Sequence, residues 1–220
     1  VNTAKGSVTA RALVLATNAY TGEFEAQLAP AIAREVIPVL SWQMATKPIS
    51  HNIAKTIISG RQAMSDTHRE LYFARWDARN RLVTGGAAMF PGQGGANLRK
   101  PVGERLKRLW PQLGEVEFDY VWSGYVGMTP DNLLHPEVPG FPRIHRLAPN
   151  GYAWIGCNGR AVALSISLGR ELARATQGVA IETLGLPLSE PMPQPLQSVV
   201  RKIAPFALPL YRRLDAQEIS

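Results

Sequence analysis

The chain has 220 residues, 45% of them hydrophobic and 19% charged, which is enough for a packed core in one large domain or parts of two. No apolar run is long enough to span a membrane, Val1 onward lacks the pattern of a signal peptide, and the single cysteine, Cys157, excludes an internal disulfide and suits a reducing, cytoplasmic setting. The net charge of +7 comes without a basic-aromatic array, zinc-finger or helix-turn-helix pattern, so a solvated basic surface or a pocket for an anionic cofactor or substrate is a better reading than a nucleic-acid partner.

In chain order, "SVTARALVLATNAYTG" holds an apolar stretch, Ala12 to Ala16, that reads as a buried parallel-type strand running into a polar turn. Such a strand needs neighbours on both sides, and the few residues before it supply none. We therefore expect the chain to be the later part of something larger. "EFEAQLAPAIAREVIPV" predicts a short helix or loop punctuated by Pro30 and Pro38, and "VLSWQMATKPIS" an extended segment ending at Pro48. "ELYFARWDARNRLVTGGAA" predicts a hairpin, with strands Leu71 to Trp76 and Leu82 to Thr84 around a turn at Asp77–Asn80. "MFPGQGGANLR" reads as a glycine-rich loop. "KPVGERLKRLWPQL" reads as an amphipathic helix with Pro101 near its start and Val102, Leu106, Leu109 and Trp110 on one face.

"VEFDYVWSGYVGMTPDN" is rich in aromatic and β-branched residues and predicts a strand, followed by a Pro-rich loop and a further strand. "NGYAWIGCNGRAVALSISLGRELA" then predicts a strand, a turn Gly156-Cys157-Asn158-Gly159, and a helix carrying Val162, Leu164, Ile166, Leu168 and Leu172. In the tail, Pro205 and Pro209 should break a surface helix into short pieces that pack on the protein.

Three features fail as sites on their own. "PGQGGAN" has Asn97 where a dinucleotide fingerprint needs Gly or Ala. His51, His68, His135 and His145 lack metal-ligand spacing, so no metal is expected. Cys157 reads as a small apolar filler. The turn before the last long helix offers more. Unpaired N–H groups and partial positive charge at the helix start, close backbone approach at Gly156 and Gly159, and the charge of Arg160 suit an anionic ligand. Spacing alone leaves an equal alternative, an ordinary strand–helix connection capped by Asn158.

"LVLATNAYTG" together with "GCNGRAVALSISLGRELA" resembles the C-terminal half of the FAD-dependent amine and D-amino-acid oxidoreductases, the DAO family, and among these the γ-glutamylputrescine oxidase-like proteins most of all. Between them, "YFARWDARNRLVTGG" resembles the family's hairpin and "WSGYVGMTPDNLLHPEVP" its W-x-G…T-P-D…P segment. The resemblance covers nearly the whole chain. It implies a mixed α+β and α/β fold, the C-terminal part of a glycine-oxidase-like two-domain flavoprotein. Residues 1–35 would end the FAD-binding domain, 36–148 would form the mixed sheet of the substrate domain, 149–190 would return to the FAD-binding domain, and 191–220 would be a tail.

It also implies FAD as cofactor, with Gly156, Asn158, Gly159, Arg160, Ala161 and Val162 at the pyrimidine edge of the flavin and Ala16 and Thr17 lining it more distantly. Tyr72, Trp122, Tyr125 and Val126 would face a small amine substrate, with sheet aromatics packed in a core as an equal alternative for Tyr72, Trp122 and Tyr125; no catalytic acid or base stands out. The family's loop usually reads N-G-R-G, and here Ala161 replaces the second Gly, which would be strained if φ were positive. Val126 stands where amino-acid-oxidising relatives carry a carboxylate-gripping Arg, which favours an amine of the γ-glutamylputrescine kind. The G-x-G-x-x-G unit that holds the FAD pyrophosphate is absent from the sequence, so a missing FAD-binding half is the implied partner and the isolated chain should be inactive. The alternative is a non-catalytic subunit or binding module that needs a separate FAD-binding chain.

Overall fold

The computed structural model describes residues 1–24, 27–68, 71–87, 95–130, 141–203 and 206–218. Strands are β1 (Asn2–Thr3), β2 (Gly6–Ser7), β3 (Leu13–Leu15), β4 (Ile37–Thr46), β5 (Met64–Ser65), β6 (Phe73–Trp76), β7 (Leu82–Ala87), β8 (Phe118–Met128), β9 (Arg143–Ala148), β10 (Gly151–Ile155) and β11 (Leu188–Ser189). Helices are α1 (Thr21–Phe24), α2 (Pro30–Ala33), α3 (His51–Ala54), α4 (Gly95–Leu109), α5 (Ala161–Thr176), α6 (Gln197–Ile203) and α7 (Ala207–Glu218). The fold is of the mixed α and β class, and the chain forms two compact units: Val1–Pro38 with Val126–Arg201, and Val39–Tyr125 with Lys202–Ser220.

The first unit is built on the sheet β11-β9-β10-β3, in which β10 runs parallel to β3 and antiparallel to β9. All five residues of β10 are buried, so both faces are covered. Tyr152 and Trp154 pack with Leu168, Leu172 and Ala175 of α5, while Ala153 and Ile155 pack with Ile32 and Val36. Each large apolar side chain removed from water in this way contributes about 1.5–3 kcal/mol. The opening strand departs from the reading above. Leu13 and Val14 are more than 40% exposed, because β3 is the last strand of its sheet and only β10 pairs with it among the described residues.

A buried acid lies in the same unit. Glu35, with no exposed surface, is 2.8 Å from the Arg143 guanidinium and 3.1 Å from His145 Nε2 and accepts the Met192 N–H at 2.9 Å. Burial pushes its carboxyl up, but His145, Arg143 and the Met192 N–H outweigh this and hold it below the ordinary carboxylate value.

The second unit carries the sheet β5-β6-β7-β4-β8. The predicted hairpin is β6 and β7, and the Asp77 carboxylate accepts the N–H groups of Arg79 and Arg81 within its turn. Helix α4 reaches farther toward the N-terminus than the sequence suggests, with Gly95 already helical, which leaves Pro101 inside it. Packing at Gly95 is tight: a side chain there would collide with Val121 and would stand 2.7 Å from the Trp42 ring. Val102 and Leu106 are buried as expected, with Met44 and Phe118, whereas Leu109 is exposed. Pro91–Gly94, Asp131 and His135 lie outside the described residues. The tail forms α6 and α7, with Val199 and Ile203 about half exposed; Pro209, expected to break the helix, instead lies in the first turn of α7, and Pro205 lies outside the described residues. No helix among the described residues is long and apolar enough to cross a membrane.

Candidate functional site

Because β3 and β10 are parallel neighbours, in register from Leu13↔Gly151 to Leu15↔Ala153, their C-terminal ends reach the same edge of the sheet. The segments that follow, Ala16–Asn18 and Gly156–Gly159, therefore meet there. In sheets with parallel strands this edge is where ligands are held.

The turn is left-handed at Gly156 (φ 76°), Asn158 (φ 46°) and Gly159 (φ 81°). Glycine takes such angles freely and Asn tolerates them. The strain anticipated at Ala161 does not arise, since Ala161 is the first residue of α5 and has no positive φ. Nor does Asn158 cap the helix. Its Oδ1 accepts the Thr129 N–H at 2.8 Å, its Nδ2 donates to Thr129 Oγ1 and to the Gly156 carbonyl, and its own N–H donates to the Gly127 carbonyl at 3.0 Å. Asn158 thus ties the turn to the end of β8. The position before α5 is Arg160, whose side chain makes no capping bond to the helix.

The Arg160 carbonyl accepts the Leu164 N–H at 3.0 Å, which leaves the N–H groups of Ala161, Val162 and Ala163 without partners inside the helix. Nothing lies within 4 Å of where a Gly159 side chain would project, and Val162 and Ile166 are 92% and 78% exposed. The arrangement is an open set of donors beside an apolar helix face, with the Arg160 side chain exposed next to it. It can take an acceptor-bearing edge of a flat, partly apolar ring, and it suits charge that develops on carbonyl oxygens. The flavin implied by the motifs has such an edge; its pyrophosphate would have to be held elsewhere.

Of the expected cofactor residues, Ala16 and Thr17 follow β3 and lead to Asn18, which reaches Gly156 in the turn that runs through Asn158, Gly159 and Arg160 into Ala161 and Val162 of α5. Ala16 is exposed, and Thr17 Oγ1 lies 2.7 Å from Thr21 Oγ1. Sequence reasoning missed Asn18, whose Oδ1 accepts the Gly156 N–H at 3.1 Å, and Thr129, which is fully buried. The signal for Asn18 was an Asn directly after an apolar strand, a common left-handed turn residue. Val126 is partly buried against the cluster of Ile144, Tyr152, Trp154 and Leu168. Tyr72, Trp122 and Tyr125 fall in the second unit. There Tyr72 stacks on His68 with ring centres 4.7 Å apart and lies under the Arg105 guanidinium at 4.2 Å; Trp122 is 44% exposed and Tyr125 half-buried.

The model of a family described as FAD dependent oxidoreductase (DAO) matches residues 1–175. A probable oxidoreductase OrdL of Haemophilus influenzae is 32% identical over 178 residues, 81% of this chain and 38% of that protein. Gamma-glutamylputrescine oxidoreductase of Escherichia coli is 29% identical over 180 residues, 82% of this chain and 40% of that protein. The chain thus spans about two fifths of the length of these relatives. Glycine oxidase of Bacillus cereus shares the fold with a TM-score of 0.58 at 17% identity, over 80% of this chain and 45% of that one. Amadoriase I of Aspergillus fumigatus does so with a TM-score of 0.62 at 14% identity, over 91% of this chain and 46% of that one. With the family match running from the first strand to the end of α5, and so across the whole turn, the chain belongs to the FAD-dependent oxidoreductase (DAO) family.

Proposed function

We propose that the chain is part of an FAD-dependent oxidoreductase that acts on a primary or secondary amine of the γ-glutamylputrescine kind. The observation that carries this reading is the open start of α5, with left-handed glycines and three N–H groups that have no partner inside the helix. When bound, FAD supplies a two-electron acceptor, so that the carbon beside the amine nitrogen is oxidised to an imine, which water hydrolyses to an aldehyde. The chain's part is to hold and polarise. The Ala161–Ala163 N–H groups and the Arg160 charge stabilise negative charge at the pyrimidine edge, and Ala16, Thr17, Gly156, Asn158 and Gly159 shape the space beside it.

We assign Tyr72, Trp122, Tyr125 and Val126 to the substrate side. An apolar Val126 gives no charge-assisted grip to an α-carboxylate, a contact worth about 1.5–3 kcal/mol. Its absence is about a ten- to hundredfold handicap for amino-acid substrates. The resemblance to a γ-glutamylputrescine oxidoreductase supports the same substrate class. We further place the protein in the cytoplasm, on its single buried thiol.

The test is kcat/KM of the FAD-loaded full-length protein, with its FAD-binding half, on γ-glutamylputrescine, glycine and D-alanine. The amine should lead by about tenfold or more. A lead for glycine or D-alanine contradicts the substrate assignment, and no turnover of any of them favours a non-catalytic subunit.

A further inference from the structure

Besides its ties to Gly127 and Thr129, the turn between β10 and α5 is held by a side chain that follows β3. Asn18 follows β3, the parallel neighbour of β10, and its Oδ1 accepts the Gly156 N–H at 3.1 Å. Its own backbone is fixed in turn. Asn18 is left-handed at φ 43°, its carbonyl accepts the Thr21 hydroxyl at 2.8 Å, and that hydroxyl lies 2.7 Å from Thr17 Oγ1. Room for the Asn18 amide comes from Gly127 on β8, where a side-chain carbon would stand 2.7 Å from Asn18 Oδ1. A side chain at Gly156 would itself meet Thr129 Cγ2 at 2.6 Å. Only glycine therefore fits at this position beside Thr129, and the orientation of its N–H is set by the Asn18 oxygen.

We propose that Asn18 is a positioning residue: accepting the Gly156 N–H, in space that Gly127 leaves free, it fixes the turn and so aims the open N–H groups of Ala161–Ala163 at the flavin. This rests on the reading of the α5 start as the flavin edge. The backbone needs of position 18 and its acceptor can be separated. Asn18→Gly keeps a left-handed conformation and removes the acceptor, whereas Asn18→Asp keeps an acceptor of the same shape. Gly127→Ala attacks the same contact from the other side, since the added carbon must displace the Asn18 amide.

The test follows backbone amides of this segment in the labelled full-length protein, with its FAD-binding half, by hydrogen exchange and chemical shift, without and with FAD. Without FAD, Gly156 N–H exchange should accelerate about tenfold in Asn18→Gly and in Gly127→Ala, while Asn18→Asp stays near the wild type. Adding Gly127→Ala to Asn18→Gly should cause little further change, because both remove one interaction. With FAD, the shifts at Ala161–Ala163 seen in the wild type should be altered in Asn18→Gly and in Gly127→Ala. Wild-type exchange and FAD-induced shifts retained in both variants would overturn the role of Asn18. Absence of any FAD-induced shift at Ala161–Ala163 in the wild type would instead overturn the flavin reading beneath it, whatever the variants do. Should Asn18→Gly fail to fold, Gly127→Ala and Asn18→Asp still decide the case.

Discussion

Two helices of this chain adjoin glycine-rich sequence, and they do opposite things with it. In helix α4, the missing side chain at Gly95, the first helical residue described, makes room for Trp42 and Val121 of the helix's own unit. Helix α5 begins after Gly159, where the missing side chain faces open space and the first N–H groups have no helical partner. Glycine permits close approach in both cases, but protein fills the space in one and leaves it open in the other. A helix start becomes a candidate binding edge when its donors face space and its neighbours are rigid, as Asn158 and Asn18 make them here.

The largest effect expected sets a scale for the unit that carries the open edge. Glu35→Ala strands Arg143 and His145 beside an empty place and should cost about 3–5 kcal/mol, read as a fall in the urea midpoint at neutral pH. The folded-state carboxyl is held below its ordinary value, so this contribution is complete above the unfolded-state value and is lost as pH falls through the folded-state one. The gap between wild type and variant should therefore narrow in acid. A gap that stays constant down to strongly acid pH would mean that lost packing, not charge, is the cause.

Next comes the contrast itself. Gly95→Ala overpacks a filled site and should cost about 1–3 kcal/mol with no change in flavin properties. Gly159→Ala meets no neighbour and should cost only the left-handed backbone, about 1–2 kcal/mol, yet it should disturb flavin absorbance in the FAD-loaded protein. The comparison breaks if Gly95→Ala, measured by the same spectra, is the variant that perturbs flavin.

The smallest stability effect is expected for Arg160→Ala, within about 0.5 kcal/mol, as for most surface changes. Loss of the exposed charge should nevertheless lower the flavin reduction potential and slow substrate reduction. The slowing should be less than the roughly hundredfold typical of an oxyanion donor. Potentiometry and anaerobic stopped-flow would read both. An unchanged rate would leave the backbone N–H groups as the whole of the effect.

Much of this was legible in the sequence, and the parts that were not share a cause. The β6–β7 hairpin and the β10–turn–α5 unit follow from local alternation, turn residues and periodicity, and they lie where the residues put them. The N-terminal reach of α4 was missed because Pro101 looks like a first-turn residue, whereas Gly95, already helical, packs against residues far away in the chain. Leu13 and Val14 read as buried because apolar strands usually are; their exposure depends on which strands flank β3. At the site, the glycines and Arg160 were visible as a motif. The roles of Asn18, Gly127 and Thr129 were not, since each depends on a partner about 30 to 140 residues away, as in the 138-residue separation of Asn18 from Gly156.

The most direct test of the central claim compares the two helices in one experiment: backbone amide shifts across this segment of the full-length protein, with its FAD-binding half, at saturating FAD. The account predicts the largest shifts at Gly159–Ala163, with Ala16 and Thr17 following and Gly95–Lys100 unmoved. Shifts centred on Gly95–Lys100, or none at the start of α5, would contradict it.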